Sequence, residues 1–278
     1  MPRRNDRSNR RRTGRERYDK RPVARESSRT PEQTPSQLRA VERLLSGIGV
    51  PEPRPFEADR FQLEALEAIE TQDVLVTAPT GSGKTWIARE EIRRLLAAGK
   101  RAWYTTPLKA LTNSKYAEFK LEFGAENVGI LTGDRKENRD APLIVGTTEI
   151  YRNQLFDAMR EGFDVATDFV ILDEAHYLAD EDRGHVWEEA IILSPKRIRL
   201  LLLSATIGRA DEFADWIAEV RGTSVRVITA GPRPVELRAA YLSNELQLFP
   251  LFGADGGFNR GLERFERRKP ENTWRRRR

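Results

Sequence analysis

The sequence predicts an α/β fold, a mainly parallel sheet with helices on both faces, and three observations carry that expectation. Between residues 56 and 230, short apolar runs alternate with segments of helical period, as buried parallel strands alternate with crossover helices. The first of those runs opens into a glycine-rich loop and then a helical stretch. A later run ends on adjacent carboxylates, Asp173 and Glu174, and parallel sheets gather ligands at that end of their strands.

Residues 1–35 are rich in Arg, Ser, Pro and Asn with almost no aliphatic side chains. Ordering them would bury too little apolar surface to offset the lost chain entropy, so a disordered basic tail is expected. A short helix is predicted over 36–45, with Ser36 as its cap and Leu38, Val41, Leu44 and Leu45 on one face. Pro51, Pro53 and Pro55 then make residues 36–55 end in a semi-rigid connector. The main domain spans 56–230, with strands predicted at 74–77, 102–105, 143–146, 169–172, 200–203 and 225–228. Its clearest helices are 85–98, 108–123 and 210–220, with Gly99 and Gly124 as terminators. Residues 231–278 read as the start of a second domain, with a further strand within 235–242, followed by a Gly- and Arg-rich basic tail.

A chain of 278 residues buries a core without staples. It has no cysteine and two histidines, which excludes thiolate-ligated zinc, iron-sulfur clusters and thiol catalysis and fits a reducing compartment. With no apolar leader and no segment long enough to span a bilayer, a soluble, cytoplasmic protein without membrane contact is expected. The net charge of +5 is uneven: residues 1–30 hold twelve Arg/Lys against four Asp/Glu, and 259–278 hold nine against three, which leaves −9 between them. Basic arms on an acidic globule suit a polyanion partner, although solvated extensions share that composition.

The apolar run 74–77, then Ala78-Pro79-Thr80-Gly81-Ser82-Gly83-Lys84-Thr85, then a helix, is the order a phosphate cradle needs. Gly81 and Gly83 let the backbone turn several amides onto one anion, and the helix adds its positive end. Lys84 supplies charge for the terminal phosphates of ATP, and Thr85 offers a hydroxyl to Mg2+. Asp173 is placed to hold magnesium, directly or through water, and Glu174 to orient and deprotonate an attacking water. His176 is read as a relay between the nucleotide and neighbouring segments. Since His185 stands nine residues on with no cysteine nearby, zinc is not expected.

These residues resemble the superfamily 2 helicases of the DEAD/DEAH type, and within them the Ski-like (superkiller) branch, over about residues 56–242. The most telling stretch joins Asp173-Glu174-Ala175-His176-Tyr177-Leu178 to Asp182-Arg183-Gly184, Trp187-Glu188-Glu189 and Leu203-Ser204-Ala205-Thr206-Ile207. The resemblance implies a RecA-like ATP-binding domain, the first of two, in an ATP-dependent helicase. It also implies that Ser204, Ala205 and Thr206 couple ATP state to strand handling. Pro107, Lys109, Gly133, Thr147 and Thr148 fall in segments that the family uses to hold a nucleic-acid strand, and hydroxyls, amides and helix ends hold sugar and phosphate without reading bases. By charge, Lys109 and Arg152 either join that face or are solvated surface. Gln62 and Phe56 resemble the adenine-recognition region, with Phe56 equally readable as a core residue.

Such helicases hold ATP between two RecA-like domains. After Leu242 only 36 residues remain, and no Gln-x-x-Gly-Arg-x-x-Arg segment occurs. The expectation is an ATP-binding half that hydrolyses slowly alone, with a second RecA-like domain supplied by a longer product or in trans. Its partner would be single-stranded or partly duplex nucleic acid, RNA favoured over DNA. Two rivals stay open: a truncated, non-catalytic module that binds nucleic acid or another helicase, and a kinase or metabolic ATPase. Ser204-Ala205-Thr206 after an apolar strand argues against the latter.

Overall fold

The computed structural model describes residues 34–46, 55–205, 207–231, 237–244, 246–253 and 255–263. They fall into two compact units, one drawn from 1–50 and 237–278 and the other from 51–236. The expected N-terminal tail, apart from its last two residues, and the basic stretch from 264 onward lie outside the described residues. In the smaller unit, α1 (Pro35–Leu45) is capped by Thr34, whose hydroxyl accepts the Gln37 amide while Gln37 Oε1 accepts the Thr34 amide at 2.8 Å. Ser36 is therefore not the cap. Pro35 takes the first turn, where a missing N–H is harmless, and moves the start back toward the N-terminus.

The larger unit runs α2 (Arg60–Ala68), β1 (Asp73–Thr77), α3 (Lys84–Ala97), β2 (Ala102–Thr106), α4 (Lys109–Phe123), β3 (Val128–Leu131) and β4 (Lys136–Glu137). It continues with β5 (Leu143–Thr147), α5 (Thr148–Glu161), β6 (Phe169–Asp173), α6 (Gly184–Leu193), β7 (Arg199–Ser204), α7 (Ala210–Arg221) and β8 (Val225–Thr229). The eight strands form one sheet in the order β4-β3-β5-β2-β6-β7-β1-β8. Every pairing is parallel except β3 with β4.

Alternate residues of each central strand bury on opposite faces, as the two-residue strand period requires. Val74, Val76, Tyr104, Phe169, Ile171, Leu201 and Leu203 join one core with residues of α2, α3 and α4. Leu75, Trp103, Val170, Leu172, Leu200 and Leu202 join the other with α5, α6 and α7. Each such Val, Leu or Ile contributes about 1.5–3 kcal/mol by leaving water, which is why these runs are apolar throughout rather than alternating. The pairing registers set Thr77 level with Ser204 and Asp173 level with Leu203. The loop after β1, the acids ending β6 and the segment after β7 therefore leave the sheet along one edge.

In the smaller unit, β9 (Ala240–Leu242) pairs antiparallel with β10 (Leu248–Pro250), against which α1 rests. Arg238 donates to the Leu44 carbonyl at 3.0 Å, so a cation satisfies the end of α1. Helix 36–45 and residues beyond 236, assigned to separate segments on sequence, thus belong to one unit. Among the described residues, no helix is long and apolar enough to cross a membrane.

Candidate functional site

The loop from Ala78 to Gly83 joins β1 to α3 in a conformation that only its glycines adopt without strain. Gly81 and Gly83 take φ of 85° and 86°, a left-handed region costly to residues with a Cβ. The Ala78 amide bonds to the Ser204 carbonyl at 3.1 Å, which ties the loop to the end of β7. Ser82 Oγ donates to the Pro79 carbonyl at 2.7 Å, and Thr80 lies in the turn between. Lys84, the first residue of α3, donates from Nζ to the Ala78 and Pro79 carbonyls at 2.7 and 3.2 Å. Gln62, on α2, donates to the Gly83 carbonyl at 3.0 Å and accepts the Asp59 amide at 2.8 Å. Beside it opens a cavity of about 580 Å³ lined by Asp59, Arg60, Phe61, Ser82 and Thr229 among others. Phe56 is 64% exposed and its ring lies 5.2 Å from that of Trp86, so it is not a core residue.

Asp173 and Thr85 come from different strand-loop junctions and meet around one tyrosine. The Tyr104 hydroxyl, on β2, donates to Asp173 Oδ2 at 2.6 Å, and the Thr85 side chain stands beside the same hydroxyl. Asp173 Oδ1 accepts the Glu174 amide at 3.0 Å. Burial pushes the Asp173 carboxyl above the usual carboxylate range and the Glu174 charge adds to this, while the Tyr104 hydroxyl, the Glu174 amide and Lys115 oppose it. Glu174 holds φ 55° and ψ 46°, a left-handed conformation unusual for a residue with a side chain and common where a site fixes the backbone. Among the described residues no three His, Cys, Asp or Glu cluster to hold a metal. A hydroxyl and one carboxylate do fit magnesium, an oxygen-seeking ion that keeps waters and phosphate oxygens as its remaining ligands.

His176 stands between the acids and the segment after β7. Its Nδ1 lies 3.3 Å from Glu174 Oε2 and 3.4 Å from the Ala205 amide. Thr77 Oγ1 donates to the Ala205 carbonyl at 3.2 Å and accepts the Ile207 amide at 3.3 Å, so the end of β1 and His176 are linked through Ala205, and the end of β1 also to Ile207. Ser204 is fully buried at the end of β7, and its Oγ has no hydrogen-bond partner. Thr206 lies outside the described residues.

A groove of about 310 Å³ is lined by Pro107, Lys109, Gly133, Thr147, Glu149 and Arg183 among others. Four segments far apart in sequence meet there. Lys109 Nζ pairs with Asp134 at 3.1 Å and lies 3.8 Å from where a Cβ on Gly133 would stand. Thr148 Oγ1 donates to the Thr106 carbonyl at 3.5 Å. Arg152 instead pairs with Glu189 of α6 at 2.6 Å. Two residues of this region were given no role from sequence, Arg183 entering only within the family-like stretch Asp182-Arg183-Gly184. Tyr104 reads as a strand aromatic, and Arg183 as one charge in a charged turn; the only signal for Tyr104 was a hydroxyl in an apolar run, which a buried site must satisfy.

A glycine loop between strand and helix, opposite acids at the same edge of a parallel sheet, defines a RecA-like P-loop NTPase domain. The chain belongs to the DEAD/DEAH box helicase family, which residues 59–213 match. It is 45% identical over 206 residues to the chloroplastic DExH-box ATP-dependent RNA helicase DExH15 of Arabidopsis thaliana, covering 72% of this chain and 17% of that protein. It is 43% identical over 203 residues to the probable helicase HelY of Mycobacterium leprae (strain TN), covering 72% and 22%. The antiviral helicase SKI2 of Saccharomyces cerevisiae is 41% identical over 207 residues, covering 73% and 16%, in keeping with the Ski-like branch. The chain thus spans about a fifth of the length of the curated relatives it matches. The crystal structure of the DUF1998 helicase MrfA bound to DNA superposes with a TM-score of 0.52 at 18% identity, covering 71% of this chain and 30% of that one, a likeness of fold.

Proposed function

We propose that this domain binds ATP with magnesium and hydrolyses it to drive movement on nucleic acid. One observation carries the reading: Asp173, which ends β6, is held by the Tyr104 hydroxyl at 2.6 Å, with the side chain of Thr85, which follows the glycine loop, beside the same hydroxyl at the edge of the sheet. In this reading the amides of residues 80–84 and the Lys84 ammonium hold the phosphates. Gln62 reads the adenine edge, beside the cavity lined by Phe61 and Ser82. Thr85 and Asp173 hold magnesium, which when bound neutralises charge on the phosphate oxygens. Glu174 orients and deprotonates the attacking water, and His176 passes the state of Glu174 to residues 204–206.

The groove of Pro107, Lys109, Gly133 and Thr147, with Thr148 behind it, takes the sugar-phosphate backbone of a strand, RNA in preference to DNA. The names of the relatives DExH15 and SKI2 support a helicase, and that of DExH15 supports RNA. A second RecA-like domain, in the same polypeptide or in trans, would close on the nucleotide and supply arginines, whose loss lowers turnover by about three to five decades. A cytoplasmic setting suits a chain without cysteine.

The test is nucleotide affinity and steady-state ATP hydrolysis, measured with RNA, with DNA and with neither. Lys84→Ala is expected to lose ATP affinity at least about tenfold, the scale of a charged hydrogen-bonding group, and turnover is expected to rise with RNA more than with DNA. Unchanged ATP affinity in Lys84→Ala would sink the cradle assignment. Salt-sensitive RNA binding indifferent to ATP would favour a non-catalytic binding module.

A further inference from the structure

The ring of Tyr104 is fully buried in the middle of β2. It meets Phe119 edge-on with ring centroids 5.0 Å apart, and both belong to the core shared by β1, β6 and α3. Strand order explains its reach. β2 lies directly beside β6, with Tyr104 paired to Ile171 two residues before Asp173, so a side chain leaning along the strand delivers its hydroxyl to the carboxylate at the strand's end. That hydroxyl donates to Asp173 Oδ2 at 2.6 Å, and the Thr85 side chain lies beside it.

We propose that Tyr104 is a positioning residue for the metal site, a rigid spacer that fixes the separation and orientation of Thr85 and Asp173 before any ion arrives. The inference rests on the assignment of those two residues as magnesium ligands. Its physical reason is the character of the ion. Magnesium demands near-ideal octahedral geometry at short distances, whereas calcium tolerates more ligands, longer bonds and irregular arrangements. Ligands fixed by a buried hydroxyl favour the first ion over the second. Ligands released from it would favour neither. Phenylalanine keeps the ring and its packing while removing the hydroxyl that holds Asp173 beside Thr85.

The experiment titrates Mg2+ or Ca2+ against ATP binding to the full chain, comparing wild type with Tyr104→Phe, Asp173→Asn and Thr85→Ala. Tyr104→Phe is expected to bind ATP in EDTA as wild type does. It should need about tenfold more Mg2+ for the metal-dependent gain in affinity, the scale of one hydrogen bond to a charged group, with a smaller change for Ca2+. A wild-type Mg2+ requirement and Mg2+/Ca2+ ratio in Tyr104→Phe, with Asp173→Asn and Thr85→Ala impaired, would overturn the Tyr104 inference alone. Unimpaired Asp173→Asn and Thr85→Ala would overturn the metal assignment beneath it. Should Tyr104→Phe not fold, 3-fluorotyrosine at position 104 keeps the hydroxyl and supplies a 19F resonance. That resonance is expected to move when Mg2+ is added to the ATP complex, with no such movement in Asp173→Asn, and a resonance indifferent to Mg2+ would refute the proposal.

Discussion

Arg183, at the N-terminal boundary of α6, donates a 2.6 Å hydrogen bond to the carbonyl of Pro107, in the turn that follows β2. The same guanidinium nitrogen is hydrogen-bonded to the Glu149 carboxylate in the first turn of α5. One side chain, ten residues beyond Asp173, therefore clasps two of the other three segments that line the proposed strand groove.

Arg183→Gln is expected to weaken the stimulation of ATP hydrolysis by RNA about tenfold, since hydrogen bonds to charged groups contribute about 1.5–3 kcal/mol. ATP affinity without RNA should stay close to wild type, because the glycine loop is untouched. Arg183→Lys should recover part of the stimulation, because both bonds leave one nitrogen and an ammonium also offers several donors from a single atom. Stimulated rates at several RNA concentrations decide the matter. A Gln variant stimulated like wild type would show that the clasp does not couple the two sites.

The central sheet was the most legible part of the sequence. The runs at 74–77, 102–105, 143–146, 169–172, 200–203 and 225–228 all became strands, lengthened by one or two residues in the structure. Apart from the edge strand β8, which is only partly buried and exposes Arg226, their residues are buried on both faces, and burial leaves an unbroken apolar signature. β3 was not foreseen, because Val128–Leu131 is four residues long with Gly129 inside it, too little to separate a strand from a loop. α5 was obscured for another reason: it begins at Thr148, directly after β5 ends at Thr147, so no loop composition marks the change of period. In the candidate site, the glycine loop and the acids were visible as local strings. The roles of Tyr104 and Arg183 depend on strand order and on which loops face each other, which no local string encodes.

The ion pair between Asp73 and Arg221 is a second arrangement of that non-local kind. Arg221 Nε donates to Asp73 Oδ2 at 2.8 Å, and both side chains are all but inaccessible to water. Asp73 also accepts from Thr223 Oγ1 at 2.9 Å and from the Leu200 amide at 2.8 Å, while Arg221 reaches the Ser194 and Ile198 carbonyls at 2.8 and 2.7 Å. The pair binds α7 to the start of β1 beneath the glycine loop. Removing one partner leaves a buried charge uncompensated, so Arg221→Met should lose about 3–5 kcal/mol of unfolding free energy in denaturant titrations. The double variant Asp73→Leu with Arg221→Met should regain part of that loss. A double variant no better than the single one would mean that the backbone carbonyls, not the ion pair, hold Arg221 in place.

Glu91, on α3, gives the protein a pH dependence whose sign follows from burial. Its side chain is 5% exposed, Oε2 has no hydrogen-bond partner, and the nearest cation, Arg94, stands 3.8 Å away. Desolvation raises the Glu91 carboxyl above its ordinary value, with Arg94 and Arg199 opposing the rise. The folded state therefore holds this proton more tightly than the unfolded chain does. The resulting stability is fully present below the unfolded glutamate value, about 4.3, and is lost as pH climbs through the folded value. Glu91→Gln has no charge to bury. It should match wild type in acid and exceed it at pH 7 by on the order of 1 kcal/mol, the cost of an unsatisfied buried polar group. Urea unfolding of both proteins between pH 4 and 7 measures the difference. Curves that stay parallel over that range would show that Glu91 is solvated in the folded state, and a variant that loses ground as pH rises would show that the Arg94 charge outweighs burial.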